Sequence, residues 1–170
     1  FESLLPEDVK TVIEPFAGTF AIIRKKYSSP KYKRHINDSD TDYMNAMKWV
    51  MTNPNKFLDI ASKIPTTNGK NCVSSVMKQV VKDSGVPESV IPYIIGRFSR
   101  GGHCDISDWM KEKGSLDQLS KLYKRSKKTS QDYRNIFKLY KNDPASFTVI
   151  DPPYYKSYND QYKKVNKDVR

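Results

Sequence analysis

The chain has 170 residues, a formal net charge of +11 and a sequence pI near 9.5. This length predicts one domain with room for an inserted subdomain, and the excess of basic residues favours a polyanionic partner such as nucleic acid. The mean hydropathy of −0.72, the lack of an apolar run near the roughly 20 residues of a membrane span and the absence of a visible secretory signal predict an intracellular protein without a membrane partner.

Metal and thiol chemistry have little support in the sequence. Cys72 and Cys104 lie in no Cys-x-x-Cys pair, and His35 and His103 are the two imidazoles. A metal centre needs more ligands than these, so we predict none. The adjacent His103 and Cys104 do not predict a nucleophilic site, because no base and orienting group accompany them.

The first predicted element is a short strand at Val12-Ile13, which leads into a tight glycine turn and the start of a helix. The turn is Glu14-Pro15-Phe16-Ala17-Gly18. Nucleotide-binding domains begin with such a unit, because a helix start and the open backbone at a glycine let a ligand approach closely. The carboxylate of Glu14 suits a cationic or hydroxyl-bearing group.

A second strand is predicted to end at His35-Ile36-Asn37-Asp38. Asp38 follows the glycine turn by roughly 20 residues, which is the spacing at which an acid binds the two ribose hydroxyls of a nucleoside. Alternatively Asp38, together with Ser39 and Asp40, caps the amino end of the next helix.

Helices are predicted for the middle of the chain. Residues 41–63 form one or two helices that Asn53-Pro54 interrupts, and residues 64–71 form a polar loop. Two further helices cover residues 73–83 and 87–95. A methionine-rich stripe on the helix predicted to begin near residue 41 favours a core face over a cofactor pocket. Its members are Met44, Met47, Val50 and Met51.

The segment 96–103 combines two arginines, an aromatic ring, a hydroxyl and three glycines. Glycines let the backbone approach phosphates or base edges, so we favour a DNA contact here over a plain connection between helices. The expected contacts are Arg97, Ser99, Arg100 and His103.

Three clusters of basic residues add to the expected positive surface. They lie in residues 24–34, 121–128 and 154–167. The first holds Arg24, Lys25, Lys26, Lys31, Lys33 and Arg34. The second holds Lys124 and Arg125, which we also expect at DNA. For any single lysine, an ordinary solvated side chain is the better explanation.

The run Phe147-Thr148-Val149-Ile150 predicts a buried strand of a parallel sheet, and Asp151-Pro152-Pro153-Tyr154 follow it. The prolines end the strand and leave an acid and an aromatic ring at its carboxyl end, where open α/β sheets bind ligands. The Asp151 carboxylate and a proline carbonyl can accept both hydrogens of an exocyclic amine, while the Tyr154 ring stacks on the heterocycle. A rigid turn without a chemical role is the alternative.

Taken in order, these motifs resemble the Dam-type DNA adenine methyltransferases. The resemblance spans nearly the whole chain, in the segments Ser3-Leu4-Leu5-Pro6, Glu14–Gly18, Ile36-Asn37-Asp38, Asp132-Tyr133 and Asp151–Tyr154. The last motif is specific to amino-group methylation in general, and the order of the motifs points to this family.

The resemblance implies S-adenosylmethionine as cofactor and double-stranded DNA as substrate. Glu14, Pro15, Phe16, Ala17 and Gly18 are expected to surround the methionine part of the cofactor. Asp38 is expected to bind its ribose, and Asp132, next to Tyr133, its adenine. The resemblance assigns Asp151, Pro152, Pro153 and Tyr154 to the target adenine, which must flip out of the duplex.

The chain departs from the family in three places. Phe20 stands where the family usually has a second glycine, which predicts a tighter cofactor loop or weaker binding. A Gly- and Lys-containing segment before Ser3 and further strands after Arg170 are missing from the sequence. We therefore expect a fragment or a trimmed member of the family.

Together these features predict an α/β protein with a Rossmann-like methyltransferase sheet and an inserted helical target-recognition subdomain, in the order β-α-β, helices and a final strand. Residues 1–52 and 129–170 are expected to form the methyltransferase domain and residues 53–128 the insert. The predicted function is site-specific DNA adenine methylation, in a bacterial or virus-infected cell or associated with a virus. Two alternatives stay open: a non-catalytic or structural relative, and a methyltransferase of this fold acting on RNA or a protein amide.

Overall fold

The structure is a computed structural model that describes residues 6–18, 21–64, 74–91, 94 and 112–152. The described residues divide into two compact units, the first within Phe1–Thr52 and Asp117–Asp151 and the second within Asn53–Leu116 and Pro152–Arg170. The α/β class is confirmed. The predicted domain boundaries and the recognition role of the insert stay predictions.

A parallel sheet of four strands forms the centre of the first unit. The strands are β1 (Thr11–Glu14), β2 (Lys33–Asn37), β3 (Lys127–Thr129) and β4 (Ser146–Thr148), in the order β3-β2-β1-β4. The register places Ile13 between His35 and Thr148. Because the strands are parallel, their carboxyl ends meet at one edge, the carboxyl edge, and their amino ends at the opposite, amino edge.

Six helices are described. They are α1 (Ala21–Lys26), α2 (Thr41–Thr52), α3 (Pro54–Lys63), α4 (Ser74–Asp83), α5 (Lys113–Lys124) and α6 (Tyr133–Tyr140). The predicted break at Asn53-Pro54 is confirmed. Asn53 leaves the helical region with a φ of −125°, because the residue before a proline avoids it, and Pro54 then begins α3.

The predicted methionine stripe packs into the core of the first unit. Met44, Met47, Val50 and Met51 are all buried, as are Ile13 on β1 and Ile36 on β2. Met is well suited to this position, since its unbranched side chain adapts to the irregular surface of a small sheet.

Two expectations about strands were wrong. The sequence prediction missed β3, because Lys127-Lys128-Thr129 has no apolar pattern and becomes a strand only by pairing with β2. The predicted strand 147–150 differs from the observed β4, which spans Ser146–Thr148, and the strand is less buried than predicted. Among the described strands β4 is an end strand, half-buried, and Ile150 is 61% exposed, although the amide of Val149 still donates to the Ile13 carbonyl at 2.8 Å.

The predictions for the middle of the chain fall partly outside the described residues. The helix expected from residue 73 is observed as α4, and Gly85 follows it with a φ of +65°. In the segment 87–95, Ile91 and Ile94 are helical. Most of the predicted loop 64–71 lies outside the described residues.

Asn37, the last residue of β2, connects the ends of three strands. Its Nδ2 donates to the carbonyls of Pro15 (3.0 Å) and Gln131 (2.9 Å), and its Oδ1 accepts from the Thr129 hydroxyl (2.7 Å) and the Gln131 amide (3.0 Å). Two donated and two accepted bonds use the full capacity of a side-chain amide. The loop after β1 and the turn after β3 are therefore held at fixed positions relative to β2.

His35 extends this network to α6. Its Nδ1 lies 2.9 Å from the Tyr140 hydroxyl, and its Nε2 lies 2.8 Å from Thr129 Oγ1. Because the Thr129 hydroxyl donates to Asn37, Nε2 is the donor toward Thr129, and Nδ1 then accepts from Tyr140. This neutral ring agrees with the pKa of His35, which burial and, secondarily, the charge of Lys127 lower to about 4.

We predict that Asn37→Leu lowers the free energy of unfolding by about 3 kcal/mol, because the substitution leaves several buried polar groups without partners. Urea unfolding measures the effect. Asn45→Ala, at an exposed position of α2, is the control and should change stability by less than about 0.5 kcal/mol. A stability of Asn37→Leu equal to that of the control would show that this network does not hold the strand ends.

Candidate cofactor site

The loop after β1 has the predicted arrangement of a strand, a glycine turn and a helix. The Ala17 amide donates to the Asn37 carbonyl (2.8 Å), and the Gly18 amide donates to Asp38 Oδ2 (3.1 Å). Gly18 has a φ of +46°, which side-chain-bearing residues rarely adopt, and a Cβ added there would meet no heavy atom within 4 Å apart from its chain neighbours. The loop therefore presents open backbone at the carboxyl edge.

Asp38 holds the glycine loop, and the capping role belongs to a different residue. Besides the bond from Gly18, its Oδ1 accepts from the Asp40 amide at 3.0 Å. Asp40 in turn accepts from the Tyr43 amide at 3.0 Å and so caps α2.

Glu14, at the end of β1, is a buried carboxyl in an unusual environment. Its side chain is 2% exposed, and its Oε2 has no hydrogen-bond partner among the residues that the structure describes. Burial raises its pKa to about 8 and the nearby charge of Asp151 adds to this, although hydrogen bonds from the backbone of Ile23 and Ile22 act in the opposite direction. A cationic group beside Oε2 would relieve both the missing hydrogen bond and the repulsion.

Two aromatic rings from distant parts of the chain meet near this loop. The ring centroids of Phe16 and Tyr133 are 5.0 Å apart, and Tyr133 is 39% exposed. Phe16 follows β1, whereas Tyr133 begins α6 after the turn that Asn37 anchors. An exposed ring at this edge is suited to stacking on a planar heterocycle.

Asp132 caps α6 and is paired within its own turn. It accepts from the Arg134 amide (2.8 Å) and from the Arg134 guanidinium (2.9 and 2.5 Å). These hydrogen bonds lower the pKa of Asp132 to about 2. Its contact with the cofactor stays a prediction. A ligand at this position would share the carboxylate of Asp132 with Arg134.

The target-base motif is described only in part. Asp151 and Pro152 are exposed and lie just beyond β4, and Asp151 is close enough to Glu14 to influence its pKa. Several residues named from the sequence lie outside the described residues. They are Phe20, Arg97, Ser99, Arg100, His103, Pro153 and Tyr154.

Two basic residues predicted to contact DNA lie at the opposite edge of the sheet from the acids. Lys124 ends α5 and Arg125 follows it, so both precede β3 at the amino edge, opposite Asp151. Arg34 is 5% exposed and donates to the carbonyls of Tyr27 (2.8 Å), Ser28 (2.9 Å) and Ser29. Its inclusion in a DNA-facing cluster was therefore wrong, because the guanidinium is used to hold the connection from α1 to β2.

Asn37 is the residue of the site that the sequence prediction undervalued. It was part of a motif, but no role was given to it. The available signal was an amide side chain directly after the apolar Ile36 at a strand end, since a buried amide needs several partners. In the described ranges no group of three or more His, Cys, Asp or Glu side chains could hold a metal ion, and no helix there is long and apolar enough to cross a membrane.

We predict that Glu14→Gln makes the protein more stable at neutral pH. The unfolded carboxyl ionises near pH 4.5 and the folded one near 8, so the wild type loses stability as the pH rises between these values. At pH 7 the variant should gain roughly 3 kcal/mol, from 1.36 kcal/mol per pKa unit. Urea unfolding from pH 4 to 9 measures this, with Glu88→Gln, an exposed acid, as the control. Parallel pH curves for wild type and Glu14→Gln would contradict the assignment.

Comparison with known proteins bears on the amino-terminal part of this site. The family model of the D12 class N6 adenine-specific DNA methyltransferases matches residues 1–74, which include the glycine loop and Asp38. A search of curated proteins found no match. The resemblance to this family of methyltransferases is thus confirmed over residues 1–74.

Proposed function

We propose that this chain binds S-adenosylmethionine at the carboxyl edge and transfers its methyl group to the exocyclic amine of an adenine in DNA. The observation that carries the proposal is the unpaired, buried Oε2 of Glu14 beside Asp151. A cationic group next to Oε2 would stabilise the ionised form of Glu14 against burial and the charge of Asp151, and the cofactor has two such groups, an ammonium and a sulfonium. The family match over residues 1–74 supports the same function.

The residues of the carboxyl edge fit the parts of this cofactor. Glu14 would hold the ammonium group, and the open backbone at Gly18 leaves room for the methionine chain. Asp38 would accept hydrogen bonds from the ribose hydroxyls, and the exposed ring of Tyr133 would stack on the adenine. When bound, the cofactor supplies a methyl group on a positively charged sulfur.

The chain's own contribution to the reaction is to activate and position the target amine. The lone pair of an exocyclic amine is delocalised into the ring, which makes the nitrogen a poor nucleophile. Asp151 and the Pro152 carbonyl would accept its two hydrogens, which favours a tetrahedral nitrogen with a localised lone pair. Interactions that strengthen as charge develops lower the barrier, and in-line positioning lowers it further.

The target base has to leave the duplex to reach Asp151, since its amine is inaccessible within the stack. Tyr154 would stack on the flipped base. Contacts with the surrounding DNA are assigned to Arg97, Ser99, Arg100 and His103, because arginines on a glycine-rich segment can reach both phosphates and base edges.

The cofactor assignment predicts that Asp38→Ala weakens binding of S-adenosylmethionine and of its demethylated product by at least about tenfold, the effect of losing hydrogen bonds to a charged acceptor. Isothermal titration calorimetry gives the affinity. Asp42→Ala, at an exposed acid on α2, is the matched control and should bind as the wild type does. Equal affinity in the Asp38 and Asp42 variants would remove Asp38 from the ribose site.

The catalytic assignment predicts that Asp151→Ala loses about 10²–10³ in methyl-transfer rate, as is typical when one transition-state contact is removed. Its cofactor affinity should stay within a few-fold of wild type, because the main cofactor contacts lie on β1 and β2. A radiolabel assay with adenine-containing DNA, RNA and peptide amides measures rate and substrate class together. If wild type bound cofactor and DNA but methylated none of these substrates, the chain would be a non-catalytic relative.

A further inference from the structure

The amino edge of the sheet carries a row of basic side chains on the side opposite the candidate cofactor site. The row consists of exposed residues at the ends of α1 and α5 and at the starts of β1 and β2. Its members are Lys10, Lys25, Lys33, Lys121, Lys124 and Arg125. In the parts of the chain that the structure describes, no ion pair joins these six side chains to an acid.

Backbone contacts place Lys10, Lys33 and Arg125 at the starts of adjacent strands. The Lys33 amide donates to the Lys10 carbonyl at 2.8 Å, so these two lysines are neighbours at the starts of β1 and β2. On the other side, β2 pairs with β3, which Arg125 precedes. The pKa of the buried Arg34 is lowered by burial and, secondarily, by Arg125, which agrees with this proximity.

The spacing makes the charges act together. Adjacent strands lie about 4.8 Å apart, which is less than the Debye length of about 8 Å at physiological ionic strength. The potentials of neighbouring side chains therefore add. A polyanion with regularly spaced charges fits such a row better than a single small anion does.

Helix electrostatics explain only part of the row. Cations in the last turn favour the negative end of a helix, which accounts for Lys25 on α1 and for Lys121 and Lys124 on α5. Lys10 precedes β1 and Lys33 begins β2, so neither belongs to the last turn of a helix. Their position beside the helix ends calls for a different explanation.

The opposite edge has the reverse charge. Glu14 is the last residue of β1, and Asp38, Asp132 and Asp151 follow the carboxyl ends of the other three strands. Glu7, Asp8 and Asp143 also precede strands at the amino edge, where the six bases of the row outnumber them, whereas the acids of the carboxyl edge lie where a cationic cofactor is proposed. Phosphates would be repelled from the carboxyl edge and attracted to the amino edge.

We infer that the amino edge is a second DNA-binding surface, which contacts the phosphates of a duplex segment other than the one that presents the target base. That the polyanion is DNA rests on the proposed function. Lys124 and Arg125 then belong to this surface and not to the target-base site. Binding through this surface is independent of sequence and sensitive to salt, because it releases counterions and contacts no base edge.

The test is the salt dependence of binding to a duplex that contains no adenine target, with the full 170-residue chain. The variant Lys10→Gln/Lys33→Gln/Lys124→Gln is compared with Lys63→Gln/Lys82→Gln/Lys113→Gln, which removes the same charge from exposed residues of the second unit. The amino-edge variant should bind at least about tenfold more weakly near 0.1 M salt, and its slope of log K against log salt should fall by about 3. The control variant should keep the wild-type slope.

Three outcomes would overturn the inference. The first is equal binding by both variants, which would leave only an effect of net charge, and the second is no binding of this duplex by wild type. For the third, binding to phosphatidylserine vesicles is also measured. If the amino-edge variant bound these vesicles more weakly than wild type but bound the duplex equally well, the partner would be an anionic membrane. Circular dichroism and calorimetric S-adenosylmethionine binding check that the variants are folded. Methyl transfer does not enter this test, so an inactive chain would count against the proposed function and not against the DNA surface.

Discussion

The side-chain amide of Asn37 is the interaction on which the arrangement of the carboxyl edge depends. It is buried at the end of β2 and connects the loop after β1 with the turn after β3 through four hydrogen bonds. A buried amide that uses its whole capacity gains stability and also accepts only one geometry, because any other arrangement leaves polar groups unpaired. The loop that carries Phe16 and Gly18 and the turn before Tyr133 are therefore held at fixed positions relative to β2.

Within that fixed frame, Glu14 is an unfavourable element of the folded protein. Its carboxyl is buried and lacks one partner, and Asp151 repels its charge. Such a group reduces stability unless a ligand supplies the missing positive charge, and sites of this kind are typical of binding and catalysis. The charged side chains at the two edges of the sheet also call for partners of opposite charge. The carboxyl edge, with its acids, suits a cationic ligand, and the row of bases at the amino edge suits an anionic one.

The local elements could be predicted because neighbouring residues determine them. The strand, glycine turn and helix around Gly18, the break before Pro54 and the buried methionine face each depend on backbone preferences or on a helical period. The prediction failed for β3 and for the depth of β4. A strand with two lysines has no apolar pattern, and the burial of β4 depends on what packs beside it rather than on its own residues.

The sequence by itself determined which chemical groups are present and that each lies at the end of a strand: Glu14 as the last residue of β1, Asp38 after β2 and Asp151 beyond β4. Only the tertiary structure decided which of them meet. Asn37 and Gln131 are 94 residues apart, and the ring contact of Phe16 with Tyr133 and the electrostatic influence of Asp151 on Glu14 span still longer separations. Such contacts depend on the order in which parallel strands pair, and this order is a property of the whole packed unit that no local pattern encodes.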